Sequence, residues 1–205
     1  MFIKVHPIHP QKRLIALVAD TFRKNGIISY PTDSGYAVGC ALENKSGIDR
    51  IRDIRKVKHN HNFTLICKDL SEIGSYAIVG NYAYRILKTN TPGPFTFILK
   101  ATRVVPRRLY HPKRRTIGVR IPKNPIPLAI ASALGEPFMS VSLSLPDDNH
   151  PLTEPEDIME NLGHSLDLVV AAGFCSVDPT TIVDLTGDEP ILVRAGKNVK
   201  AIFPD

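Results

Sequence analysis

The 205-residue chain is 43% apolar and 22% charged, with a formal net charge of +6, an ordinary composition for a folded domain long enough to bury a core without staples. Its three cysteines, Cys40, Cys67 and Cys175, stand far apart with no C-x-x-C pair, which argues against a disulfide framework and a structural zinc site and fits a reducing compartment. The opening MFIKVHPIHPQKR lacks the apolar run of a signal peptide, and no stretch approaches the roughly 18 apolar residues of a membrane span. A cytoplasmic protein is therefore expected, with one domain over residues 1–205, no membrane partner and no appended regulatory segment.

Residues 11–25 place Leu14, Leu17, Val18 and Phe22 on one helix face, and Gly26 follows at the expected stop. Residues 27–30 read as a strand, 46–56 as a helix, 63–67 as a strand and 80–89 as a helix. Residues 95–101 and 116–121 read as strands joined by a basic, Pro-containing loop. Then follow a helix over 125–134, a strand over 138–143, a helix over 155–162, and strands over 167–171, 181–185 and 191–194. The polar segment 146–155 is expected to be a mobile loop. Alternating helices and strands predict an α/β layered domain. Helix-free connections near 95–121 and 181–194 make its sheet mixed.

Charge is segregated along the chain. Residues 73–135 hold eleven Lys/Arg and no acid, whereas residues 136–193 hold twelve Asp/Glu and no Lys or Arg. Two readings stay open: the blocks neutralise each other in space, or they form separate faces, the positive one for polyanions.

Several segments carry candidate chemistry. Pro31-Thr32-Asp33-Ser34-Gly35-Tyr36 directly follows a strand, as a ligand loop or as a plain turn. Thr91-Pro92-Gly93-Pro94-Phe95-Thr96 reads as a rigid structural turn. Arg120 sits late in the apolar strand TIGVRIP with no acid within 15 residues on either side. It therefore needs a distant partner or a bound anion, and the anion is favoured. Ser140-Val141-Ser142-Leu143-Ser144 alternates hydroxyls with apolar residues, so one strand face presents three hydroxyls. His59-x-His61 has ligand spacing, but nothing nearby completes a metal set, and a solvated loop is the expectation. The chain has no P-loop and no G-x-G-x-x-G.

Taken in order, PTDSGYAVG, TPGPFTFIL, TIGVRIP, SVSLS, PTTIVDL and LVRAG resemble the YrdC-like family of L-threonylcarbamoyladenylate synthases. PTDSGYA and HNFTL match its YciO branch, and the resemblance spans about residues 10–200. It implies an α/β fold of the YrdC/RibB-like kind: a twisted open mixed sheet with flanking helices and a positively charged concave cavity. The implied reaction joins L-threonine, bicarbonate and ATP into threonylcarbamoyl-AMP and releases pyrophosphate, for modification of tRNA by partner proteins.

Carried over, the threonine side involves Thr32, Ser34, Arg120, Ser140 and Thr180, and the ATP side Thr116, Ser142, Ser144 and Arg194. Arg55, Arg120 and Ser142 are the catalytic candidates. Magnesium is expected on the nucleotide, with no metal bound by the chain itself. The fold is also described as binding double-stranded RNA. Arg103, Arg107, Arg108, Lys113, Arg114 and Arg115, expected at the rim of the pocket, are the candidates for RNA.

Two motifs depart from the family's pattern. Lys-x-Arg becomes Arg55-Lys56-Val57, and Ser-x-Asn becomes Ser142-Leu143-Ser144. Losing one charge-assisted phosphate bond at Val57 costs about 1.5–3 kcal/mol, or about 10- to 150-fold in affinity, so a weak synthase is expected. A non-catalytic RNA-binding module is the alternative.

Overall fold

A computed structural model describes residues 1–57, 61, 63–145 and 151–204. Its strands and helices run in the order β1 (Phe2–Lys4), α1 (Lys12–Arg23), β2 (Ile28–Thr32), β3 (Gly35–Ala41), α2 (Lys45–Arg55), β4 (Thr64–Ile66), α3 (Leu70–Tyr76), β5 (Ala77–Ile78), α4 (Asn81–Asn90), β6 (Phe95–Ala101), β7 (Thr116–Arg120), α5 (Pro125–Leu134), β8 (Phe138–Ser142), α6 (Pro155–Leu162), β9 (Leu168–Ala171), β10 (Thr181–Asp184) and β11 (Ile191–Arg194). Most expected elements are present within one or two residues. Four were not anticipated: β1, β3, α3 and β5.

The sheet order is β1-β9-β2-β3-β8-β4-β7-β6-β10-β11, with β5 added beside β6. Pairing is mixed. The β2–β3, β3–β8, β4–β8, β6–β7 and β10–β11 pairs are antiparallel, whereas β1–β9, β2–β9, β4–β7 and β6–β10 are parallel. The expected twisted open mixed sheet is thus present.

Helix ends follow local chemistry. Asn44 accepts from Gly47 N–H at 2.8 Å to start α2, and Asn124 accepts from Ile126 N–H at 2.9 Å ahead of Pro125 to start α5. α5 stops at Gly135 with φ 79°, a left-handed position that glycine adopts without strain. α3 opens on a capping box: Asp69 accepts from Glu72 N–H, and the Glu72 carboxylate accepts from Lys68 N–H, each at 2.8 Å.

The core runs along the sheet. Phe22 of α1 packs on Phe138 of β8 with ring centroids 5.1 Å apart, and Tyr30 of β2 meets Phe138 edge-on at 5.3 Å. All three are fully buried. α1 and α5 pack together and over this end of the sheet.

Among the described residues, none of the ion pairs joins residues 73–135 to residues 136–193. Lys58, His59, Asn60 and Asn62, and the segment 146–150 expected to be mobile, lie outside the described residues.

Candidate functional site

The register places one set of side chains on one face of the sheet. Thr64 lies opposite Ser140 and Gly118, and Ser140 opposite Gly39. Ser142 lies opposite Ala37, and Ile182 opposite Thr96 and Arg194. Because successive side chains alternate faces, Thr32, Thr64, Thr96, Arg120, Ser140 and Ser142 share a side. Two glycines let neighbouring strands approach closely on that side. A Cβ on Gly118 would sit 2.8 Å from Thr64 Oγ1, and one on Gly39 2.4 Å from the Met139 carbonyl.

The hollow is a cleft of about 510 Å³, within the usual range of ligand pockets. Its wall includes Thr32, Ser34, Arg55, Arg120, Ser140, Ser142, Ser144, Thr180 and Arg194. These are nine of the ten positions expected for threonine, ATP and catalysis. The tenth, Thr116, is buried at the start of β7. It lies four residues from Arg120, about 13 Å along an extended strand. Among the described residues it is not part of this wall.

Arg120 is 7% exposed. One nitrogen donates to Ser34 Oγ at 3.0 Å, and the other forms an ion pair with Asp33. Of the two partners open to Arg120 from the sequence, a distant acid and a bound anion, the distant acid is present. The contact crosses β8 and β4, three interstrand steps from β3, about 14 Å in a flat sheet. It therefore requires the sheet to curl. Arg120 Nε and Asp33 Oδ2 are buried with no hydrogen-bond partner.

The loop 31–36 is both a turn and a wall. Asp33 and Ser34 form a two-residue reversal between β2 and β3. Thr32 Oγ1 accepts from Ser34 N–H at 3.0 Å and donates to the Gly35 carbonyl at 2.7 Å. Gly35 has φ 93°, and a Cβ there would lie 2.7 Å from Pro151.

Two more guanidinium groups reach the cleft. Arg55, at the last turn of α2, donates to the Ser144 carbonyl and leaves a buried Nε without a partner. Burial lowers its pKa. Arg194 donates to the Thr180 carbonyl at 2.9 and 3.2 Å and to Thr180 Oγ1 at 2.9 Å. Burial first, and then the nearby Arg120 charge, lower its pKa. Both shifts mean that added negative charge would be favourable. None of the described wall residues is Asp or Glu. Tyr30 hydrogen bonds to Ser140 from beneath the wall, and burial raises its pKa well above the ordinary value, so it stays neutral.

Sequence reasoning missed several wall residues, among them Tyr36, His61, Thr64, Thr96 and Val177. Thr96 had a signal, since it closes the TPGPFT turn; its hydroxyl lies 3.4 Å from that of Thr180. His61 had only its loop spacing, and its pKa is lowered by burial and then by Arg55 and Arg52.

The basic loop lies elsewhere. Thr96 lies at the start of β6, next to Phe95, and Arg120 ends β7, so residues 102–115 connect the opposite end of that hairpin. This corrects the expected position at the cleft rim. Arg103, Arg107, Lys113, Arg114 and Arg115 are exposed. Arg108 pairs with Glu43 at 3.2 Å, and its carbonyl accepts from Arg52 at 2.9 Å. None of these six candidates is among the cleft-lining residues.

An open mixed α/β sheet whose one face gathers three guanidinium groups and a set of hydroxyls defines a protein with a cationic, hydroxyl-lined cleft. A family model for Sua5, YciO and YrdC proteins, described as "Telomere recombination", matches residues 20–196, and the chain belongs to that family. YciO of Escherichia coli, itself uncharacterized, is 50% identical over 195 residues, 95% of both chains. The crystal structure of E. coli YciO aligns with a TM-score of 0.95 at 49% identity, over 98% of each chain. P. abyssi Sua5 complexed with L-threonine aligns with a TM-score of 0.90 at 20% identity, over 100% of this chain and 61% of Sua5, a likeness of fold. A Methanocaldococcus jannaschii protein provisionally named threonylcarbamoyl-AMP synthase is 26% identical over 197 residues, 95% of this chain and 92% of its own. No described helix is long and apolar enough to cross a membrane.

Proposed function

We propose that the cleft binds ATP, L-threonine and bicarbonate and forms threonylcarbamoyl-AMP with release of pyrophosphate, at a reduced rate. The observation that carries this reading is the convergence of Arg55, Arg120 and Arg194 with hydroxyls on a wall free of described carboxylates. Such a site suits one small carboxylate and a polyphosphate together.

In this reading Arg120 clamps the threonine carboxylate, with Thr32, Ser34, Ser140 and Thr180 around the amino acid. Ser142, Ser144, Arg55 and Arg194 hold the nucleotide. Magnesium rides on the triphosphate; the described residues offer no cluster of three His, Cys, Asp or Glu to hold it, and hydroxyl oxygens suit a hydrated magnesium ion. The chain's work is positioning and charge stabilisation, without a covalent nucleophile. Val57, where the family's pattern has Arg, supplies no charge, which slows the reaction.

Purified protein given ATP, bicarbonate and radiolabelled L-threonine should yield a labelled adenylate and pyrophosphate. A yield no greater than that of Arg120→Ala would refute the reading. A second reading, RNA binding, is favoured by the five exposed cations on the loop 102–115. It predicts affinity falling steeply with salt, with a log–log slope of about −0.9 per phosphate neutralised on a duplex.

A further inference from the structure

Carbamoylation needs a free amine, because only its lone pair attacks the carbon of bicarbonate. An amino acid enters near neutral pH largely as the ammonium form. A base at the cleft would speed the loss of its proton.

The titratable side chains on the described wall are Tyr36, Arg55, His61, Arg120 and Arg194. Arginine stays charged and cannot accept a proton. The Tyr36 hydroxyl is already committed, donating to the Gly173 carbonyl at 2.9 Å and accepting from Ala172 N–H at 3.1 Å. Asp33, behind the wall, is bound to Arg120 through one carboxylate oxygen, and the other is buried. His61 is the remaining acceptor on the described wall.

We propose that His61 takes the proton from the incoming amino acid's ammonium group and so delivers the amine as a nucleophile. This rests on the synthase reading above. The step balances. Ammonium, bicarbonate and neutral imidazole give carbamate, water and imidazolium. The N–C bond forms, the C–OH bond breaks, and the departing hydroxide takes a second amine proton as water. The imidazolium then returns its proton to solvent.

The surroundings keep His61 ready. α2 presents Arg52 and Arg55 toward it, and Asp49 is bonded to Arg52 at 3.0 Å. The Phe63 ring meets the imidazole edge-on at 5.6 Å. Arg120 and Arg194 are the other charges on the shared wall. Burial and the two α2 guanidinium groups hold the imidazole below its ordinary pKa of 6.5, so it is neutral at pH 7. Imidazolium beside Arg55 is unfavourable, which speeds return of the proton.

The test is the pH profile of adenylate formation in wild type, His61→Gln and His61→Ala, with ATP binding measured alongside. The wild-type rate should rise as pH climbs through the His61 pKa, below 6.5, and level off by neutrality. Both variants should lose about 100-fold or more at pH 7, as removal of a general base does. Their rates should instead climb toward alkaline pH with the amine's own ionisation. Added imidazole should restore part of the His61→Ala rate, while ATP affinity stays near wild type.

Variants with the wild-type rate and profile would overturn the proposal alone. So would a loss that imidazole does not restore and that a parallel loss of ATP binding accounts for. A wild-type protein that forms no adenylate would overturn the synthase reading, and this inference with it.

Discussion

The two positively charged regions of this molecule differ in how their charges are held. In the cleft, Arg120 and Arg194 are fixed by Asp33, Ser34 and Thr180, and Arg55 by the Ser144 carbonyl. On the loop 102–115, five of the six cations are exposed, and Arg108 alone of the six forms an ion pair among the described residues. Fixed, partly desolvated charge discriminates between ligands by geometry, whereas solvated charge attracts any polyanion and is screened by salt. One basic stretch of the sequence thus sends Arg120 to the cleft and its other cations to an outer loop, by strand direction alone.

The largest expected effect is at Arg120. Arg120→Ala should cut adenylate formation by about 30- to 4,000-fold, since truncating a buried charge partner costs about 2–5 kcal/mol. It also strands Asp33, so the melting temperature should fall as well. Arg120→Lys should recover the ion pair but not the two-pronged grip, leaving the rate low. A wild-type rate in either variant would move the carboxylate site elsewhere.

Next comes the core cluster of Phe22, Tyr30 and Phe138. Phe138→Ala should lower unfolding free energy by about 3–5 kcal/mol, read by urea titration. It removes the ring on which Phe22 and Tyr30 rest. A small loss would show that the cleft wall does not depend on this core.

Val57→Arg should tighten ATP binding by about 10- to 150-fold, the reverse of one lost charge-assisted bond. Calorimetric titration would show it, and unchanged affinity would place the triphosphate away from the end of α2. The smallest effect is on the outer loop. Lys113→Ala with Arg114→Ala should flatten the salt slope of duplex binding by about 1.8 if each cation neutralises one phosphate. No change in slope would remove RNA from this surface.

Much of the fold was legible because its signals are local. The 11–25 periodicity and the hydroxyl alternation at 140–144 each act within one element. β3 was hidden because the chain reverses on only Asp33 and Ser34, so a turn and a ligand loop are the same residues. α3 had a capping-box signal in Asp69-x-x-Glu72 that went unused.

The site was legible as a set of residues but not as a set of partners. Asp33 and Arg120 are 87 positions apart, and only the strand order and curl bring them together. The loop's location, by contrast, was deducible. Thr96 and Arg120 sit at one end of an antiparallel pair, so its connection must sit at the other. Thr116 failed as a wall residue for the same reason, since it shares the Arg120 face but not its end of β7.

The central claim is that the hydroxyl-and-guanidinium cleft joins bicarbonate to an amino acid and activates the product on AMP. The direct measurement follows radiolabelled bicarbonate into a nucleotide adduct. The label should appear in an AMP adduct only when both ATP and L-threonine are present, with pyrophosphate in equal amount, and Arg120→Ala should abolish it. Tight ATP binding with no label incorporated, under any amino acid supplied, would contradict the account and leave the cleft as a nucleotide-binding site without this chemistry.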